Sequence, residues 1–210
     1  MAALRLPLPA LAALSLAVCA PAAHAHHAMD RQLPVTSMQG LLSGLAHPLL
    51  EWDHLLFLLG AAALVAAART PVGRGVQLLG AFAVAASIGT AIHANGMALP
   101  GAEVGVAVSL LAVAAALLWS TPGVWPLLAL AVGGGVVHGY AYGEAIVGAA
   151  SSPTLAYAAG LLVAQALLLS TVHGGWCHVI ERSPLLRPSA RRGLALLLTV
   201  VGIGALGVAG

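Results

Sequence analysis

Lysine is absent from this chain, and all eight basic residues are arginine. Charged residues make up only 7% of its 210 positions, against about 25% in a soluble domain. With 60% hydrophobic residues, the composition is that of an integral membrane protein and excludes an ordinary soluble fold. A net charge of +2 is too small to mark a nucleic-acid partner. Cysteine is nearly absent, with Cys19 and Cys177 alone. Cys19 falls in a leader expected to be removed, so no intramolecular disulfide is available and stability must come from helix packing. Three catalytic motifs are also missing. No GxxxxGK[ST] is present, which excludes a P-loop ATPase. No HExxH is present, which disfavours a zincin-type protease, and no Gly-x-Ser-x-Gly supplies a serine nucleophile.

What is present is apolar runs. Arg5, the stretch LPALAALSLAVCA and the small-residue pattern AHA at 23–25 predict a signal peptide over residues 1–25. A short extracytoplasmic segment, 26–40, would follow. Spans are predicted over 41–67, 74–93, 103–120, 124–142, 154–173 and 193–209, each near the roughly 20 residues that cross a bilayer. The expected fold is therefore an all-α integral membrane protein, a compact six-helix bundle over 41–210. Cleavage of the leader would put the new N-terminus outside. The loop with Arg69 and Arg74 and the loop with Arg182, Arg187, Arg191 and Arg192 then fall on the cytoplasmic side, as the positive-inside rule requires. Both termini are expected outside.

The polar residues are placed unevenly in this scheme. HPLLEWDHLLFLLG, residues 47–60, opens the first span with His47, Glu51, Asp53 and His54. His93 ends the second span, Glu103 opens the third, and His138, Tyr142 and Glu144 lie at the end of the fourth. All fall in the outward half. At 100° per residue, His47, Glu51 and His54 share one helical stripe, with Pro48 a candidate kink or helix start. An ionisable side chain in the bilayer centre costs about 2.5–3.5 kcal/mol, so Glu51 and Asp53 require a compensating partner. A divalent cation would supply it. Imidazole nitrogen with carboxylate oxygen suits Ni, Co, Zn, Cu or Fe, and suits Mg or Ca poorly.

Several of these residues also have ordinary structural roles. A lone membrane histidine such as His93 is as readily a packing residue. Glu103 favours the positive end of its helix, and Gly135, Gly139 and Gly143 at i, i+4, i+8 mark close helix packing. HGGWCHVIER holds His173, Cys177 and His178, a candidate cytoplasmic exit or simply a loop. His26 and His27 would stand at the new N-terminus and could capture metal there.

The motifs resemble those of a known family. HPLLEWDHLLFLLG resembles the HP-x4-DH signature of the HupE/UreJ proteins, bacterial nickel/cobalt permeases. ALPGAEVGVAVSLL is similar to that family's turn between its second and third helices, and VHGYAYGEAIVGA to its HG-x-A-x-G signature with a nearby Glu. The resemblance spans about residues 20–175. It implies metal-handling roles for His47, Asp53, His54, His138 and Glu144. Apart from the resemblance, Glu51, His93, Glu103 and Tyr142 are pathway candidates by their place in the outward half. The chain departs from the pattern at Glu51 and Trp52, which stand for Gly and an aliphatic residue. Tyr142 stands where many members have a second His, and Glu144 comes one position early. These exchanges bear on nickel against cobalt.

The expected function is uptake of a divalent transition metal, nickel or cobalt, across the bacterial inner membrane by a secondary permease. The metal is substrate, and no organic cofactor is expected. The partners are the lipid bilayer, the ion and cytoplasmic metallochaperones. Two other classes fit the residues. One is an intramembrane metalloenzyme, although EWDH is a single Glu-x-x-His element where di-iron bundles use two. The other is a metal-binding accessory protein that carries nothing across.

Overall fold

The computed structural model describes residues 32–119 and 122–209, and these are all-helical. The predicted signal peptide, His26 and His27 lie outside the described residues. Among them seven helices follow one another: α1 Ser37–Leu50, α2 Trp52–Ala67, α3 Val72–Ala94, α4 Ala102–Leu118, α5 Val124–Gly143, α6 Ser151–Gly175 and α7 Leu186–Ala209. A 3-10 turn, Glu144–Ile146, ends α5, and a π turn, Trp176–Ile180, ends α6.

Among the described residues, four helices are long and apolar enough to cross a membrane, and α1 with α2 makes a fifth if the bent pair is one span. α4 is a shorter apolar helix of 17 residues. The run 41–67, predicted as one span with Pro48 as a candidate kink or helix start, is two helices that meet at an angle of 73°. Proline explains where the first one fails. Pro48 lacks the N–H that would bond to the carbonyl of Gly44, and its ring crowds that carbonyl. The helix persists to Leu50, and Glu51 then takes an extended backbone, φ −98° and ψ 120°. At its other end α1 is set by a reciprocal cap. Gln39 N–H donates to Thr36 Oγ1 at 3.2 Å, and Thr36 N–H donates to Gln39 Oε1 at 3.1 Å.

Small residues decide how the helices pair. α1 lies along α6, α3 along α5, and α4 along α7. A Cβ added to Gly44 would overlap the backbone of Tyr157, and one on Gly139 would overlap the backbone of Ala86. Such contacts let backbones approach where lipid offers no hydrophobic drive. Thr90 adds a bond across the α3–α5 seam, donating to the Gly139 carbonyl at 2.9 Å. α2 is the central element. Its Phe57, Leu58, Ala62, Ala63 and Leu64 are buried, packed with Phe82, Leu110, Val113 and Leu198 from α3, α4 and α7. A helix apolar all round belongs in such a position.

The last helix begins seven residues before the predicted 193, because Arg187, Arg191 and Arg192 are helical. Glu181 makes this possible. Its carboxylate lies 2.8 Å from Arg191, 3.8 Å from Arg187 and 4.0 Å from Arg69. It also accepts a bond from Trp176 Nε1 at 3.1 Å, and Arg191 reaches the Ala67 carbonyl at 3.2 Å. This arginine end closes the bundle away from the histidines.

Candidate metal site

The break at Glu51 builds the site. A helix start leaves backbone N–H groups without intrahelical partners. Asp53, in the first turn of α2, takes one of them, accepting from His54 N–H at 2.7 Å. Glu51 stands between the two helices and reaches both ways. Its Oε1 is 3.3 Å from His47 Nε2, and its Oε2 is 3.2 Å from His54 Nε2. The two imidazole rings stack with centroids 5.8 Å apart. Among the described residues, His47, Glu51 and His54 form the group of three metal-capable side chains whose ligand atoms lie within 4.8 Å of one another.

Two hydrogen-bond relays fix which nitrogens face Glu51. Tyr157 has one hydroxyl proton and donates it to the Tyr142 carbonyl at 2.7 Å. The 2.9 Å contact of its oxygen with His47 Nδ1 therefore has the imidazole donating. His47 carries its proton on Nδ1, and in the neutral ring Nε2 presents a lone pair to Glu51. The second relay runs from α4. Ser109 donates to the Val106 carbonyl at 2.7 Å, so its oxygen accepts from His138 Nε2–H at 2.9 Å. His138 Nδ1 is then the acceptor in its 3.2 Å contact with His54 Nδ1. Asp53 Oδ1, also 3.2 Å from that nitrogen, is an acceptor as well. His54 thus keeps its proton on Nδ1 and turns the Nε2 lone pair to Glu51.

Two lone pairs and one carboxylate facing each other repel unless a positive charge lies among them. A second ring proton can supply it, and so can a divalent ion bound by two neutral imidazoles and a carboxylate. The donor set is of the borderline kind that suits Ni, Co or Zn. Ligands on opposite sides of one ion are about 4.2 Å apart at bond lengths near 2.1 Å, so a small contraction of the group would close it on an ion. Glu51 and Asp53 have only imidazoles as charged partners among the described residues. Behind the site, Phe57 packs on His138 with centroids 4.1 Å apart and begins the apolar core.

The other predicted residues are more dispersed. His138 is buried behind His54, and Asp53 lies beside it. Tyr142 is buried with its ring against both His47 and His54, at 5.2 and 4.4 Å. His93 is a seam residue: its Nδ1 meets the Tyr140 carbonyl at 2.7 Å and its ring stacks on Tyr140 at 4.0 Å. Glu103, in the first turn of α4, and Glu144, in the 3-10 turn, are exposed and apart from the cluster. His173 Nε2 and Cys177 Sγ are 3.8 Å apart at the arginine end, whereas His178 is exposed. Sequence reasoning missed Tyr157 and Ser109, which orient the imidazoles. Ser109 carried a signal, being a lone hydroxyl in the apolar run of α4. Tyr157 carried none until α1 was seen to lie on α6.

No curated protein and no solved structure matches the chain. The family described as HupE / UreJ protein matches over residues 14–205, nearly its whole length. The family match and the convergence of His47 and His54 from one signature with His138 from another agree, and the chain belongs to the HupE / UreJ protein family.

Proposed function

We propose that this protein is a secondary permease that carries a divalent transition-metal ion, nickel or cobalt, into the cell across the bacterial inner membrane. The observation that carries the reading is the group His47, Glu51 and His54, with both imidazoles turned lone pair inward by their relays. His47 and His54 are the nitrogen ligands and Glu51 the oxygen ligand. Asp53 and His138 hold His54 in its tautomer, as partners behind metal-bound histidines do. The bundle crosses six times, counting α1–α2 as one bent span and α4 as a short one, after removal of residues 1–25. The histidine end faces outward, the arginine end is cytoplasmic, and both termini lie outside.

Passage inward is driven by the membrane potential, worth about 2.3 kcal/mol per charge at 100 mV and twice that for a divalent ion. A discontinuous span at the binding site is a recurring device in secondary transporters, because the break frees polar backbone and side chains at membrane depth. The test is metal flux in proteoliposomes. Uptake of nickel or cobalt that depends on the potential and is lost in His54→Ala supports the reading. Metal binding without flux would instead make the protein a non-transporting accessory of metalloenzyme assembly.

A further inference from the structure

Phe57 follows His54 by one turn of α2, and its ring is buried. The ring packs on His138 with centroids 4.1 Å apart and meets Phe82 at 5.5 Å. Glycine makes its seat, because a Cβ on Gly134 would overlap the tip of the ring. Phe57 also lines a cavity of about 20 Å³, shared with Leu64, Leu78, Phe82, Val113 and Leu127. A water molecule needs about 10–15 Å³, so the space could hold one. None of the side chains lining it is polar, however, and such a space stays dry. An unfilled space costs stability, and its place suggests what it is for. Leu64 follows His54 on α2 and leads to Ala67, whose carbonyl meets Arg191. Leu78 and Phe82 precede His93 on α3, Val113 follows Ser109 by one turn on α4, and Leu127 precedes His138 on α5. On all four helices the cavity lies between the histidine end and the arginine end.

We infer that the Phe57 ring and the dry cavity beyond it form a hydrophobic gate between the metal group and the arginine end. This rests on the permease reading and adds the barrier that an inward path needs. A divalent ion sheds its water only where oxygen or nitrogen replaces it, and the side chains of the cavity offer neither. While dry, this section blocks ions; once wetted, it passes them, as apolar constrictions in channels do. The Phe57 ring is the lid of the section, since it borders both His138 and the empty space.

The test measures entry of cobalt(II) and magnesium(II) into proteoliposomes holding the wild-type protein, Phe57→Ala or Val113→Thr. Magnesium is the leak probe, because imidazole ligands suit it poorly. Val113→Thr keeps the shape of the side chain and adds a hydroxyl at the cavity. The carbonyl of Ser109, one turn back, can accept its proton, so the fold should hold. Cobalt entry should rise at least threefold in Val113→Thr, with cobalt affinity in detergent within twofold of wild type, since the ligands are untouched. Magnesium entry should rise at least tenfold in Phe57→Ala. Cobalt entry at or below the wild-type rate in Val113→Thr overturns the gate and leaves the permease standing. A folded Phe57→Ala that excludes magnesium as the wild type does also overturns it, by making the ring a packing residue alone. Wild-type vesicles closed to cobalt overturn the permease and the gate together.

Discussion

The two ends of the bundle treat buried charge in opposite ways. At the arginine end, the Glu181 carboxylate is met by Arg69, Arg187 and Arg191. Guanidinium is permanently charged and fork-shaped, so the charges there are balanced from within and tie α2, α6 and α7 together. At the histidine end, Glu51 and Asp53 are met by imidazoles whose relays leave lone pairs pointing at Glu51. That cluster has no permanently charged cation among the described residues. Charge completed from within holds a fold together, whereas charge left incomplete can be completed by a passenger.

Substitutions at the two ends should separate these roles. The largest effect is expected for His54→Ala, which removes a proposed ligand and the donor of the contacts to His138 and Asp53. Nickel or cobalt affinity should fall at least a hundredfold by isothermal titration, with the melting temperature in detergent lowered little. A large loss of melting temperature with affinity retained would reverse the assignment of the two ends. Next comes Glu181→Ala, which strands the half-buried Arg191. Removing one member of a buried pair costs about 3–5 kcal/mol and an exposed pair about 1. For this partly exposed cluster about 2 kcal/mol is expected, read as a lower melting temperature with metal affinity unchanged.

Tyr157→Phe should have a smaller effect and sharpens the histidine end. It keeps the ring against His47 and deletes the oxygen that fixes the proton on Nδ1. Loss of an orienting partner behind a metal-bound histidine costs about 10–100-fold, so affinity should fall by about tenfold, and unchanged binding would show that the relay does not set the tautomer. The smallest effect is expected for Arg69→Ala. Arg69 is 67% exposed and 4.0 Å from Glu181, a surface pair worth less than about 1 kcal/mol. Its melting temperature should be nearly that of the parent, and a drop matching that of Glu181→Ala would mean that Arg69 carries the knot.

Much of the site was legible because buried charge is rare in apolar runs. His47, Glu51 and His54 stood out by type and spacing, and the burial cost pointed to a shared cation. The helical stripe that joined them does not run through the 73° bend, for which Pro48 was the sequence signal. The three converge because Glu51 occupies the break and reaches a ring on either side. The relays were not legible, since they depend on which carbonyls and hydroxyls other helices bring near: Tyr142 and Tyr157 in one case, Val106 and Ser109 in the other. The start of α7 was misread for a related reason. A run of arginines resembles a solvated loop until the packed chain shows Glu181, just before it in sequence, turned onto Arg187 and Arg191. Glu103 and Glu144 look alike in composition to Glu51, and only the fold separates exposed carboxylates from the one at the break.

The bend at Glu51 also has a mechanical meaning. α1 is fastened to α6 through Gly40 and Gly44, whose backbones touch those of Pro153 and Tyr157, whereas α2 is fastened into the apolar core through Phe57, Leu58 and Leu64. His47 rides with the first pair and His54 with the core. The gap between the two imidazoles therefore measures how one body sits against the other, as a vernier does. An ion bound across that gap would rivet the bodies together, and sliding one past the other would prise it loose.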